Sequence, residues 1–153
     1  MKLEQYLKED LIFVRHSYED TDAFYADFAL FLKERGVVID NEKIKRLFIK
    51  RENIQSTAIG RGVAAPHIFS DEFSEFIITI ALIKNGMEYK APDNQAVHVI
   101  FLIMSDDRDV GLHLKTLAHI ARLEKSTDLT RDLKDADTQE EILEVIKKVE
   151  KLV

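Results

Sequence analysis

At 153 residues, with 46% hydrophobic residues and interspersed charges, the chain is long enough to bury one substantial core and does not read as disordered. It has no cysteine, which excludes disulfides and thiol nucleophiles, and its net charge of −6 works against non-specific binding to a nucleic-acid backbone. No apolar run approaches the ~18 residues of a membrane span, and the charged start Met1–Asp10 does not read as a signal peptide, so a cytoplasmic protein of one domain, residues 1–153, is expected.

Ala23, Phe24, Ala26, Phe28, Ala29, Phe31 and Leu32 recur at near-helical spacing and predict a helix over 19–35 that Gly36 stops. A second helix is predicted over 41–51, with Asp40 or Asn41 as its cap and Ile44, Leu47 and Phe48 on its apolar side. The pattern then changes to that of strands. Residues 76–83 are a continuous apolar run rich in β-branched side chains. Asn85-Gly86 reads as a hairpin turn, with 87–90 returning as a strand. Residues 97–104 form a second buried strand. Helical spacing resumes over 109–123, and shorter helices are expected over 127–135 and 138–151. Helices at both ends with strands between them predict an α/β fold, a mixed β-sheet sandwiched between helix layers.

The chemistry concentrates at two histidines. His67 follows Pro66, which stiffens the approach to it through its own fixed φ and the restriction it places on Ala65. A neutral imidazole is a nucleophile near pH 7. Gly60 and Gly62, just upstream, permit a loop whose amides can point at an anion. Arg51 offers a planar cation able to meet two phosphoryl oxygens, and it also suits the C-terminal end of its helix. His113 lies in the first turn of the helix over 109–123, beside an apolar stripe formed by Leu114, Leu117, Ala118 and Ala121. Taken singly, His67 reads as a plain loop residue and His113 as a half-buried structural one; their company gives them a role. His119 falls on the opposite face and reads as exposed and inert, Arg61 reads as solvated, and His98 and His16 receive no role.

Other chemistries find no support. Gly60-Arg61-Gly62-Val63-Ala64-Ala65 fits a loose dinucleotide fingerprint, but no apolar strand precedes it and Pro66-His67 interrupts the helix that should follow. No phosphate-binding P-loop, zinc-protease helix motif or serine-elbow motif occurs, and the histidine spacings show no metal pattern. No metal or cofactor is expected.

The run Arg51-Glu52, Ser56-Thr57, Ile59-Gly60-x-Gly62-Val63-Ala64-x-Pro66-His67, then Asp93-Asn94-Gln95-x-Val97 and His113-Leu114-x-x-Leu117-Ala118, resembles the fructose/mannitol-type EIIA component of the bacterial phosphoenolpyruvate-dependent phosphotransferase system, including its nitrogen-type subgroup. The resemblance extends over nearly the whole chain. It implies a phosphoryl carrier with the mixed-sheet fold expected above. His67 would be the phosphohistidine, modified at Nε2, with His113 and Arg51 completing the site. Ser56 and Thr57, with Gly60 and Gly62, would shape the phosphoryl loop. The implied donor is an HPr-like phosphocarrier protein. The implied acceptor is an EIIB domain or, in a regulatory nitrogen-type protein, a target bound according to phosphorylation. A non-catalytic binding module is the third reading, and the intact Arg51, His67 and His113 speak against it. The chain departs from the family pattern at Ala58, Ala65 and Ile68, and Ile68 is expected at the rim that a partner touches.

Overall fold

A computed structural model describes residues 1–153. In chain order the elements are β1 (Phe13–Arg15), α1 (Thr21–Glu34), α2 (Asn41–Ile54), β2 (Ala58–Gly60), β3 (Val63–Ala64), β4 (His67–Phe69), β5 (Ile77–Met87), β6 (Val97–Ser105), α3 (Val110–Ser126), α4 (Leu129–Lys134) and α5 (Gln139–Glu150). The sheet runs β1-β5-β6-β3-β2, and β4 pairs with β6 beyond the end of β3. β5 and β6 are antiparallel, whereas β1 on β5, and β3 and β4 on β6, are parallel.

Two apolar clusters occupy the two faces of this sheet. Val97, Ile100, Leu102 and Met104 of β6 pack with Phe24, Phe28, Leu32, Ile44 and Phe48 of α1 and α2. Val99, Phe101 and Ile103 pack with Ile120 and Leu123 of α3, Leu129 and Leu133 of α4, and Ile142, Ile146 and Val149 of α5. The continuous apolar runs are continuous because both faces of the strands are covered. The expected mixed sheet between helix layers is what the chain forms.

Caps set the helix starts. The carboxylate of Asp20 accepts from the Ala23 amide at 2.8 Å, that of Asp40 from Lys43 at 3.0 Å, and the Thr138 hydroxyl from Glu141 at 3.1 Å. Gly36, at φ 74°, ends α1 as expected, with the Val37 amide returning to the Leu32 carbonyl at 2.9 Å.

Three sequence expectations are corrected. Asn85-Gly86 is not the hairpin turn. β5 runs through both residues to Met87, with a register shift between Leu82 and Met87, and the chain reverses over 88–96. Gly86 sits at φ 78°, and a Cβ there would come within 2.9 Å of the His98 ring. The glycine therefore serves a bulge over which His98 lies. Next, α3 presents a different face to the core. Leu114 is 64% exposed, and the buried side carries His113, Thr116, His119, Ile120 and Leu123. Polar residues can face inward because each finds a partner; Thr116, for one, donates to the Leu112 carbonyl at 2.8 Å. Third, His119 is buried. Its Nε2 lies 2.7 Å from a carboxylate oxygen of buried Glu150, which also accepts from the amides of Leu3 (2.8 Å) and Glu4 (3.3 Å). That carboxylate joins the start of the chain, α3 and α5.

Candidate functional site

His67 opens β4, directly opposite Ile103 of β6, and Phe69 pairs with Ser105 two residues on. The Ile103 amide bonds the Pro66 carbonyl at 3.1 Å, so the proline that removes a donor still contributes an acceptor to the ladder. Alternation along β4 puts His67 and Phe69 on one face and Ile68 on the other. Ile68 is buried against the α1–α2 layer, which corrects the expectation that it forms part of a partner-facing rim.

The fold brings the two histidines together. Their ring centres lie 6.0 Å apart at an interplanar angle of 70°. His113 is 2% exposed and is held between Phe69, stacked at 4.2 Å, and Phe76, edge-on at 5.3 Å. Its Nε2 lies 2.7 Å from the Ser105 hydroxyl. His67 is half-buried, and its Nδ1 is enclosed by protein with no partner at full hydrogen-bond geometry. That leaves Nε2 as the nitrogen a visiting group can reach.

Both rings are biased towards the neutral form. Burial lowers the pKa of His67 most, and the charge of Arg51 lowers it further; the Ala65 backbone and Glu52 act in the opposite sense. Burial, with a smaller effect from His67, takes His113 down from 6.5 to about 4. The unfolded chain binds a proton at His113 as the pH drops below 6.5, whereas the folded protein waits until about 4. Stability is thus full above pH 6.5 and is lost through the window down to 4, by up to roughly 3 kcal/mol from this residue. Urea unfolding at pH 7 and pH 4.5 is expected to show that loss, and a His113→Phe protein a smaller one.

Arg51 stands in the last turn of α2, where its Nη1 donates to the Gln55 carbonyl at 2.8 Å while its charge reaches His67. Ser56 donates to the Tyr89 carbonyl at 2.8 Å and accepts from Ala58 at 3.2 Å. The Thr57 amide donates to Glu52 at 3.1 Å, and its carbonyl accepts from Ala65 at 3.0 Å. These bonds fasten the α2–β2 segment to the approach to Pro66-His67. The structure does not bring Gly60 and Gly62 to that point. Gly62 bonds His98 and Val99 at the far end of β6, four residues before Ile103, or roughly 13 Å along the strand. Gly60, Arg61 and Gly62 have φ of 101°, 54° and 84° and form the β2–β3 turn, which Asp93 clasps at the Arg61 amide (2.8 Å). Their support for the site is indirect, and Arg61 itself pairs with Glu124 at 3.2 Å.

Sequence reasoning missed Ser105, Phe69 and Phe76, and it named Glu52 beside Arg51 without giving its carboxylate a role. Ser105 left one trace, as the polar residue that closes the apolar run of β6 eight positions before His113.

The sequence model of one family, described as "Phosphoenolpyruvate-dependent sugar phosphotransferase system, EIIA 2", matches residues 5–149. A fructose-specific EIIABC component of the phosphotransferase system from Bacillus subtilis is 24% identical over 99% of this chain, which spans only 24% of that relative's length. A nitrogen regulatory protein from Bradyrhizobium diazoefficiens is 29% identical over 69% of this chain and 70% of its own. Among solved structures, the nitrogen regulatory protein IIA-Ntr of Neisseria meningitidis superposes with a TM-score of 0.82 at 21% identity, covering 93% of this chain and 97% of that one. The mannitol IIA of Escherichia coli, in complex with phosphorylated mannitol IIB, gives a TM-score of 0.73 at 15% identity, covering 93% and 99%.

Proposed function

Because the chain belongs to the EIIA type 2 family of the phosphoenolpyruvate-dependent sugar phosphotransferase system, we propose that it is a phosphoryl carrier in which His67 Nε2 takes the group and passes it on. The observation that carries this reading is the pairing of half-buried His67, under the charge of Arg51, with buried His113, ring centres 6.0 Å apart. Unlike His113, His67 has a backbone acceptor in Ala65 for its ring proton; with that proton on the enclosed Nδ1, the lone pair is on Nε2, the nucleophile at neutral pH. The donor is a phosphohistidine on a small HPr-like protein. In an in-line transfer, the N–P bond at the donor breaks as one forms at Nε2. Charge spreads over the equatorial phosphoryl oxygens, and Arg51 is the group placed to meet it. The group then leaves to an EIIB domain, in the cytoplasm. Val110 and Leu114 stand exposed on the first turns of α3 beside His113 and supply an apolar edge for a transient partner.

The test is incubation with phosphoenolpyruvate, enzyme I and HPr, followed by mapping of the acid-labile label and a chase with an EIIB domain. Label on His67 that moves to EIIB supports the carrier reading; label elsewhere, or none, overturns it. The second reading, a regulatory nitrogen-type protein, is favoured by the 29% identity to a nitrogen regulatory relative. It predicts label on His67 that EIIB does not discharge, together with target binding that changes on phosphorylation. Under either reading Arg51→Ala should slow phosphoryl uptake by roughly 10²-fold. Its effect on stability should be slight, since the bond to Gln55 lies at an exposed helix end. Single-turnover transfer and thermal unfolding measure the two.

A further inference from the structure

Ser105 is fully buried at the end of β6 and has one proton to give. It donates that proton to the Asp106 carbonyl at 2.7 Å. Towards His113 Nε2, also at 2.7 Å, the hydroxyl can then only accept. Nε2 therefore carries the imidazole proton, and Nδ1 carries the lone pair. The opposite arrangement would put an N–H on Nδ1, which is buried with no partner. A bare buried donor is costlier than a bare acceptor, so the first arrangement prevails. We propose that Ser105 is a positioning residue that locks His113 in the Nε2–H form and keeps Nδ1 as a reserve base for the phosphoryl site. This inference rests on the carrier reading.

The lock has a consequence for transfer. Nδ1 without a proton cannot donate to a phosphoryl oxygen. When the group arrives on His67, one proton from water adds to His113 Nδ1, and it returns to water when the group leaves. Phe69 of β4, Phe76 ahead of β5 and Ser105 of β6 press on the His113 ring, and all are neutral. His67 is the titratable group that faces it, and Arg51 and Glu52 of α2 act on His67. With no anion present, burial and His67 both oppose a charge on His113. A phosphoryl dianion on His67, 6.0 Å away between ring centres, reverses that balance.

Long-range ¹H–¹⁵N spectra of the histidine rings read this directly. In the resting protein at pH 7, His113 should show a protonated Nε2 and a bare Nδ1. After phosphorylation, both nitrogens should be protonated. Ser105→Ala should leave the fold intact, mix the two tautomers and slow phosphoryl uptake roughly tenfold, the worth of one neutral hydrogen bond. Ser105→Thr should restore the single tautomer and the rate. A resting Nδ1–H, or an unchanged tautomer and rate in Ser105→Ala, would overturn the assignment, and a neutral His113 in the phosphorylated protein would remove the proton uptake. Failure of wild-type protein to accept phosphate at all defeats the carrier reading instead, while the resting spectrum still judges Ser105.

Discussion

A His67→Ala protein is expected to fold normally and to take up no acid-labile phosphate above background, a loss on the order of 10³-fold or more. No other residue can step in. The chain has no cysteine. His113 is 2% exposed, with Nε2 on Ser105. His119 is bound to Glu150 inside the molecule, His98 lies at the other end of β6 with Nδ1 on the Ile83 carbonyl at 3.1 Å, and exposed His16 lies at that same end, its carbonyl bonded by the Asn85 amide at 2.9 Å. Stability should barely change, because His67 is half-buried and its Nδ1 has no strong partner to lose. Radiolabel uptake and thermal unfolding decide both halves. Retained label on the variant would sink the assignment of His67.

Glu52→Ala should give the largest loss of stability. One oxygen of Glu52 accepts from Tyr89 at 2.7 Å and Tyr25 at 3.1 Å, as well as from the Thr57 hydroxyl, and the other accepts from the Thr57 amide at 3.1 Å. Tyr25 and Tyr89 are buried and in contact with each other through their hydroxyls. Burial, first, and the charge of Glu52 push both phenols well above the ordinary tyrosine pKa, so both remain donors. Removing the carboxylate takes the acceptor away from the buried Tyr25 and Tyr89 hydroxyls and from the Thr57 amide. The cost is roughly 3–5 kcal/mol, or a fall of about 10 °C in the unfolding midpoint. Glu52→Gln keeps one acceptor and should lose less. Because Thr57 links this network to Ala65, phosphoryl uptake should slow in Glu52→Ala even below its midpoint. Calorimetry together with single-turnover transfer is the measurement; an unfolding midpoint unchanged within 2 °C would refute the account.

The helices and the buried strands were legible because caps and periodicity are local. Asp20, Asp40, Thr138 and Gly36 mark their ends without help from the rest of the molecule. The approach of His67 to His113 was legible only through the family motif, since 46 residues separate them along the chain. Misreadings arose where long-range contacts decide. Asn85-Gly86 favours a turn locally, but β5 pairs onward and His98 covers the glycine. The apolar stripe of α3 pointed outward because His113, Thr116 and His119 find partners within the fold. The glycines of the β2–β3 turn lie near His67 in sequence, yet strand β3 carries the chain away from them before the histidine is reached.

The Glu150 carboxylate, gripping Leu3, Glu4 and His119, sets the two chain ends side by side. Anything tethered ahead of residue 1 or behind residue 153 therefore departs from one pole of the molecule. For flexible tethers of equal length, the effective concentration of a fused module at the reactive imidazole should be much the same whichever end carries it. Gene order alone need not alter how readily such a neighbour is served.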